Sequence, residues 1–155
     1  MNKCIVGDCL SVLPTLEAGS VQTCVTSPPY YGLRDYGCIG QIGLEASPVE
    51  FIEKMVAVFR EVRRVLRDDG TLWLNLGDSY AGSWGAQGRP QGDGEMAGRS
   101  VASARQISEH PQFGSNTGTR GKEMGLKPKD LMGIPWRVAF ALQADGWYLR
   151  QDIIW

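Results

Sequence analysis

The chain is organised around Val21-Gln-Thr-Cys-Val-Thr-Ser-Pro-Pro-Tyr-Tyr31, in which an apolar run passes directly into two prolines. Residues 21–26 are rich in β-branched side chains, which predicts a short strand. Proline fixes its own φ, lacks an N–H and pushes the preceding residue into extended geometry, so Ser27-Pro28-Pro29-Tyr30 is predicted to be a rigid loop. A stiff loop that offers a hydroxyl, carbonyls and an aromatic ring is suited to gripping a planar polar ring.

A helix start follows at Ser47-Pro48-Val49-Glu50, where Ser at N-cap, Pro at N1 and Glu at N3 form a capping box. The apolar stripe beyond it predicts an amphipathic helix that ends at Asp68-Asp69-Gly70. Residues 71–76 are almost continuously apolar and predict a second strand that is covered on both faces. Strand, helix and strand make a βαβ unit, so we expect a parallel sheet with a right-handed crossover.

The two predicted strands place two loops at one edge of the sheet. Reactive loops of parallel sheets emerge at the carboxyl ends of the strands. Residues 27–30 follow the first strand, and Leu76-Gly77-Asp78-Ser79-Tyr80 follows the second. We therefore expect these two loops to be neighbours in space.

The N-terminal region predicts one more strand and a short helix. Lys3-Cys4-Ile5-Val6 is an apolar strand candidate, and Asp8 is placed to N-cap a helix. Gly19-Ser20 then turns the chain into the strand at 21–26. The spaced glycines of residues 32–43 leave two interpretations open, an ordered irregular loop or a flexible connection.

The C-terminal region predicts a second helix and a last strand. Asp130 is placed to cap the helix, Pro135 is expected to break it, and residues 136–144 form its main body. Asp145-Gly146 ends the helix, and residues 147–155 look like another strand. These elements together predict the α/β class, with a mainly parallel sheet and flanking helices.

Composition limits the class of protein. A chain of 155 residues with 43% hydrophobic content predicts a single domain with its own core. No apolar run approaches the roughly 18 residues of a membrane span, and the N-terminus lacks a signal-peptide layout, so we expect a cytoplasmic protein. With a net charge of −1, contact with nucleic acid is expected only through a local patch.

The cysteines and the histidine argue against a metal site. Cys4, Cys9, Cys24 and Cys38 make no C-x-x-C pair and have no neighbouring histidine, so reduced thiols are expected rather than zinc ligands. The single histidine, His110, lies in a Gly/Ser-rich region. A catalytic triad that depends on histidine is therefore not expected.

Residues 81–129 form a long Gly-rich segment with a basic balance. It has seven basic and four acidic side chains, a net charge of +3 in a chain whose total is −1. A loop of this length is usually either functional or disordered. Both interpretations stay open here: a mobile insertion, or a basic segment that orders on nucleic acid. Its candidate DNA contacts are Arg120, Lys122, Lys127 and Lys129.

The residues of the Pro-Pro loop suit one reaction in particular. The exocyclic amine of cytosine or adenine is a poor nucleophile because its lone pair is delocalised into the ring. Two acceptors, here the Ser27 hydroxyl and the Pro28 carbonyl, favour the pyramidal, nucleophilic amine, and Tyr30 offers a stacking face. Preorganised dipoles of this kind replace a strong base. Two structural alternatives are a simple Pro-Pro turn and a P-P-x-Y peptide ligand.

Thr26-Ser-Pro-Pro-Tyr-Tyr-Gly-Leu-Arg-Asp-Tyr-Gly37 closely resembles the catalytic loop of S-adenosylmethionine-dependent DNA amino-methyltransferases. The chain looks like the N-terminal part of a member with the β-type motif order. Four further segments of this chain also resemble segments of the family, in the same order: Gly7-Asp8-Cys9 and residues 69–78, 133–137 and 147–152. The resemblance implies a partial Rossmann-like methyltransferase fold in which Ser27, Pro28, Pro29 and Tyr30 are catalytic.

The resemblance also implies ligands and partners. The methyl donor would be S-adenosylmethionine, held in part by Asp8 and Cys9, and the substrate a base flipped out of duplex DNA. The S-P-P-Y form favours cytosine N4 over adenine N6. A bacterial or phage restriction-modification system, with a cognate nuclease as partner, would be the setting.

The family's glycine-rich cofactor turn has no match in this sequence. In the β-type order that turn comes after the target-recognition region. The chain is therefore expected to be an incomplete catalytic domain. A third interpretation follows, a fragment that is inactive until a second chain supplies the cofactor-binding half.

Overall fold

The computed structural model describes residues 4–81 and 124–154. Within them, residues 4–27, 52–75 and 137–154 form one compact unit, and residues 28–51, 76–81 and 124–136 form a second. A 3-10 turn, Leu13–Thr15, follows the first helix. The helices and strands, in chain order, are α1 (Cys9–Val12), β1 (Val21–Thr26), α2 (Pro48–Val65), β2 (Leu66–Leu74) and α3 (Ile134–Ala144).

The predicted parallel pairing is confirmed. β1 pairs with β2 in parallel, with Thr23 opposite Thr71 and Thr26 opposite Leu74. β1 has the predicted bounds, and the turn at residues 19–20 precedes it. The hydroxyl groups of Thr23 and Thr71 lie 3.0 Å apart, which ties the two strands on one face of the sheet.

The boundary between α2 and β2 differs from the prediction. The helix ends at Val65 instead of continuing to residues 68–70, and the strand begins at Leu66 instead of Thr71. The register shifts between Val21 and Thr23, so residues 67–70 form an irregularity in β2. A Cβ atom on Gly70 would lie 2.8 Å from the Arg67 carbonyl oxygen. Gly70 therefore permits a tight backbone approach within the strand and does not terminate the helix.

The two faces of the sheet are unequally covered. Cys24 and Leu72 lie on the half-buried face, whereas Val25 is 77% exposed and Trp73 54% exposed. The expectation that the second strand is covered on both faces therefore does not hold among the described residues. Burial explains the apolar side chains only on the half-buried face of this strand.

α2 begins and packs as its sequence predicts. The Glu50 N–H donates to the Ser47 hydroxyl at 3.1 Å, so Ser47 is the N-cap. The apolar stripe supplies six side chains that are at most 9% exposed: Phe51, Met55, Val58, Phe59, Val62 and Val65. Near the other end, Arg64 donates to the carbonyls of Leu13 and Leu16 and so holds the N-terminal segment.

The strands predicted at residues 3–6 and 147–155 are absent from the residues that the structure describes, so these two predictions are wrong there. Residues 4–6 form no strand, and Val6 is 92% exposed; Lys3 lies outside the described residues. Residues 147–154 form no strand either, although Ile153 and Ile154 are apolar. A strand is stable only when its backbone groups pair, and β1 and β2 pair only with each other among the described residues. The short helix that Asp8 caps is confirmed, since its carboxylate accepts from the Ser11 N–H.

α3 begins before the proline that was expected to break it. The helix runs from Ile134, which places Pro135 in its first turn, where a missing N–H costs no helical hydrogen bond. The predicted end at residues 145–146 is confirmed, with Gly146 at a φ of 101°. Arg60 of α2 forms an ion pair with Asp145 there, and its hydrogen bonds hold the pKa of that carboxyl below the ordinary value.

The helices that the structure describes include none with the length and apolar character of a membrane span.

The cap of α2 gives a stability prediction. Ser47→Ala removes the acceptor of the Glu50 N–H, so we expect the free energy of unfolding to fall by about 1 kcal/mol. Ser47→Asp keeps an acceptor at the same place and should restore most of the loss. Urea denaturation followed by circular dichroism measures both. Equal stability of the alanine variant and the wild type would contradict the cap.

Candidate active site

The Pro-Pro loop begins where β1 ends. The Asn75 N–H donates to the Thr26 carbonyl at 3.0 Å, so the parallel pairing extends to the last residue before the loop. Ser27 comes next and is exposed, whereas Pro28 and Pro29 are half-buried. The fold therefore presents the Ser27 side chain to solvent at the carboxyl edge of a parallel strand, where the sequence predicted it.

Tyr30 is packed against a glycine of the second loop. A Cβ atom built on Gly77 would lie 2.7 Å from Tyr30 Cε2 and 2.8 Å from Cδ2. Carbon atoms in van der Waals contact lie about 3.5–4.0 Å apart, so any side chain at residue 77 would displace the ring. Gly77 is not among the glycines with a positive φ. Space, and not backbone conformation, requires glycine here.

The 32–43 segment folds back onto the Pro-Pro-Tyr backbone. The Gly32 N–H donates to the Gly43 carbonyl at 2.7 Å. Gly43 has a φ of 105°, and a Cβ atom there would lie 3.0 Å from the Tyr30 carbonyl oxygen. Of the two interpretations of this segment, the structure favours the ordered irregular loop. Its glycines at 32 and 43 meet each other beside the site.

Two buried side chains, Glu45 and Tyr31, lie beside the 32–43 segment in the sequence and stabilise this region. Glu45 is 4% exposed, and its carboxylate accepts from the Gly43 N–H at 2.9 Å. Tyr31 is fully buried, with its ring centroid 5.5 Å from that of Phe51. Glu45 could not be predicted from the sequence, because nothing in its neighbourhood marks a buried acid.

Asp78 ties the second loop to α3. Its Oδ1 accepts from the Ile134 N–H at 3.0 Å and its Oδ2 from the Gly133 N–H at 3.0 Å. Oδ1 also accepts from the Ser79 N–H at 2.8 Å. Asp78 therefore caps α3, and the prediction that Asp130 does so is wrong. The Asp130 carboxylate instead accepts from the Lys127 N–H at 2.9 Å.

Ser79 joins the two loops directly. Its hydroxyl donates to the Tyr31 carbonyl at 2.8 Å, and its own carbonyl accepts from the Met132 N–H at 2.8 Å. Together with the contact between Gly77 and Tyr30, these bonds confirm that residues 28–31 and 77–79 are neighbours. Residues 131–134 form the third side of this arrangement.

The candidate cofactor residues lie in the N-terminal segment. Asp8 is exposed, and its Oδ1 accepts from the Ser11 N–H at 3.2 Å. Burial, reinforced by the Asp8 carboxylate, raises the pKa of the Cys9 thiol. These two residues offer hydrogen-bonding atoms for a polar edge of an adenosyl group. The glycine-rich cofactor turn has no match among the described residues, so Asp8 and Cys9 provide contacts for only a small part of a nucleoside donor.

The candidate DNA contacts are described only in part. Lys127 and Lys129 are exposed, and the Lys129 N–H donates to the Ala81 carbonyl at 2.7 Å. Arg120 and Lys122 lie outside the described residues, as does His110. Among the residues that are described, no three His, Cys, Asp or Glu side chains are grouped to hold a metal ion.

Comparisons with known proteins agree with the motif. A family model described as DNA methylase, of the N6/N4 type, matches residues 21–155. The type II methyltransferase M.XycI of Xanthomonas campestris pv. cyanopsidis is 52% identical over 149 residues, which cover 96% of this chain and 44% of that protein. M.SmaI of Serratia marcescens is 50% identical over 153 residues, which cover 99% of this chain and 47% of that protein. The chain thus spans about half the length of these relatives. No solved structure matches it significantly.

The capping of α3 can be tested by exchange. Asp78→Ala removes three acceptor contacts, so we expect faster hydrogen exchange of the Gly133 and Ile134 amides and a loss of about 1 kcal/mol in stability. Asp130→Ala is the matched control, because the sequence predicted Asp130 as the cap but its carboxylate bonds to the Lys127 N–H instead. Nuclear magnetic resonance measures the exchange rates. Faster exchange in the Asp130 variant alone would reverse the assignment.

Proposed function

The chain belongs to this family of DNA methylases, and we propose that it carries the base-binding part of a site-specific enzyme acting on cytosine N4 in duplex DNA. Enzymes of this family use S-adenosylmethionine as methyl donor. The observation that carries the proposal is the Ser27-Pro28-Pro29-Tyr30 loop, which leaves a parallel strand at its carboxyl end and has its tyrosine packed against Gly77.

The first step is capture of a base. In this proposal the target cytosine leaves the duplex and stacks on the Tyr30 ring, as it must for its amine to be reached. Gly77 and the 32–43 segment hold the tyrosine backbone and ring in place. Because the ring is already fixed, stacking costs less side-chain entropy than it would on a mobile tyrosine.

The second step is activation of the amine. The Ser27 hydroxyl and the Pro28 carbonyl accept the two amine hydrogens, and the nitrogen lone pair becomes available for attack. Pro29 contributes stiffness, since its fixed φ restricts the backbone that follows the Pro28 carbonyl. After attack, the extra proton on nitrogen passes to solvent, because no histidine base is expected at the site.

When bound, the donor supplies an electrophilic methyl group on a sulfonium. Asp8 and Cys9 are proposed to hydrogen-bond the adenosyl group. They fit only part of it, so the remaining contacts belong to a glycine-rich half. We propose that this half completes a Rossmann-like domain of which the described sheet and helices are one part.

DNA and the cellular setting follow from the same proposal. The basic segment 81–129 would neutralise backbone phosphates, with Arg120, Lys122, Lys127 and Lys129 as contacts, within a single methyltransferase domain. The enzyme, encoded by a bacterium or a phage, would act in the cytoplasm as the methylase of a restriction-modification system with a cognate nuclease.

Two alternatives to a cytosine-N4 methylase are tested separately. The same two acceptors also suit the N6 amine of adenine, which carries the same pair of hydrogens. Nucleoside analysis of DNA methylated by a completed enzyme is expected to yield N4-methylcytosine, and N6-methyladenine would replace the cytosine assignment. The other alternative is a fragment without activity of its own.

Methyl transfer by the chain alone tests the fragment alternative. We expect little or no transfer of labelled methyl from S-adenosylmethionine to duplex DNA, because the main donor contacts belong to the other half. A fusion to the unmatched part of M.SmaI should restore transfer. Robust turnover by the unfused chain would show that this chain alone is sufficient for methyl transfer.

Variants of the loop in that fusion separate activation from capture. Ser27→Ala removes one of two acceptors and should slow transfer roughly tenfold to a thousandfold at saturating DNA. Tyr30→Ala should mainly weaken capture, by roughly 1–3 kcal/mol. Val25→Ala serves as a control at an exposed position of the same strand. Unchanged kinetics in both loop variants would end the assignment of this loop.

A further inference from the structure

We propose that Gly77 and Asp78 are positioning residues that set the orientation of the Tyr30 ring for base stacking. The inference rests on the proposed function of Tyr30 as the stacking platform. Neither residue is expected to touch the base. Gly77 acts by its lack of a side chain, and Asp78 acts by holding Gly77 in place.

The contact between Gly77 and Tyr30 is closer than any other residue would allow. The Cδ2 and Cε2 atoms of the ring lie only 2.7–2.8 Å from the position that the Cβ atom of an L-residue at 77 would occupy. Since the φ of Gly77 is outside the left-handed region, alanine is conformationally acceptable there. The substitution therefore acts on the ring and not on the local backbone, which makes Gly77 a specific probe of ring position.

Asp78 prevents the adjoining backbone from moving away. Both of its carboxylate oxygens are used, one on the Gly133 N–H and one on the Ile134 and Ser79 N–H groups. The Met132 N–H adds a bond to the Ser79 carbonyl. Residues 78–79 are thus fixed to the start of α3 from two sides.

The tyrosine segment is attached to the same frame. The Ser79 hydroxyl donates to the Tyr31 carbonyl at 2.8 Å, and Tyr31 is itself fully buried. The backbone at residue 31 and the backbone at residue 77 are therefore held by neighbouring residues of one short segment. A ring between two such fixed points has little freedom, so an added methyl group at residue 77 must rotate it.

The experiment uses the full chain and a defined probe, a duplex oligonucleotide in which a cytosine lies opposite an abasic site. Such a cytosine is unpaired, so its capture does not require the recognition sequence to be known. Fluorescence anisotropy gives the dissociation constant for wild type, Gly77→Ala, Tyr30→Ala and the double variant. The fully paired duplex controls for backbone binding.

Gly77→Ala is expected to weaken binding of the unpaired cytosine roughly 5- to 150-fold, as Tyr30→Ala does. The double variant should be no weaker than Tyr30→Ala alone, because the glycine acts only through the ring. Binding of the paired duplex should be the same in all four proteins. Wild-type affinity in Gly77→Ala beside a weakened Tyr30→Ala would overturn the inference, and so would additive losses. Wild-type affinity in Tyr30→Ala would overturn the proposed function itself.

A spectroscopic readout covers the case in which Gly77→Ala does not fold. With 3-fluorotyrosine in the chain, the resonance of residue 30 is assigned by its loss in Tyr30→Phe. Asp78→Asn preserves shape but replaces one carboxylate oxygen by a donor, so we expect the Tyr30 resonance to shift and broaden. Asp130→Asn should leave it unchanged. An unchanged Tyr30 resonance in Asp78→Asn would overturn the role of Asp78.

Discussion

The parallel pairing of β1 with β2 is the constraint on which the site depends. It brings the carboxyl ends of both strands to one edge, with the Asn75 N–H bonded to the Thr26 carbonyl as the last rung. Each strand then passes directly into a loop that carries polar or aromatic groups. The loop that carries Ser27 and Tyr30 and the loop that carries Gly77 and Asp78 both begin at this edge, where the reactive loops of parallel sheets emerge.

Glycine has two different uses in this small region. Gly43 is needed for its backbone conformation, with a φ of 105° that lets the irregular segment return to the tyrosine carbonyl. Gly77 is needed for the space that the Tyr30 ring occupies. Both uses serve the same end, since one fixes the backbone of Tyr30 and the other limits its ring. A platform for a flipped base benefits from such rigidity because the entropy is lost on folding and not on binding.

Local sequence rules predicted the elements whose causes are local. The Ser47 cap and the bounds of β1 follow from residues within one turn or one strand. The errors arose where the cause is distant. Asp78 lies 55 residues before its partner Gly133, so the nearer Asp130 looked like the cap.

Pairing and packing partners were equally hidden from the sequence. Gly70 looked like a helix stop until its approach to a strand carbonyl was visible, and residues 147–154 have strand composition without a pairing strand among the described residues. The Pro-Pro-Tyr loop was predictable because its rigidity is covalent. The buried Glu45 beneath the site was not, because burial of an acid depends on tertiary contacts.

The central claim is that Tyr30 is the surface on which the target base stacks. Photo-cross-linking tests it most directly, with 5-iodocytosine at the unpaired position of a duplex and mass spectrometry of the cross-linked peptide. The account predicts that the cross-link maps to Tyr30 and is lost in Tyr30→Leu. A cross-link that maps to another segment and persists in Tyr30→Leu would contradict it.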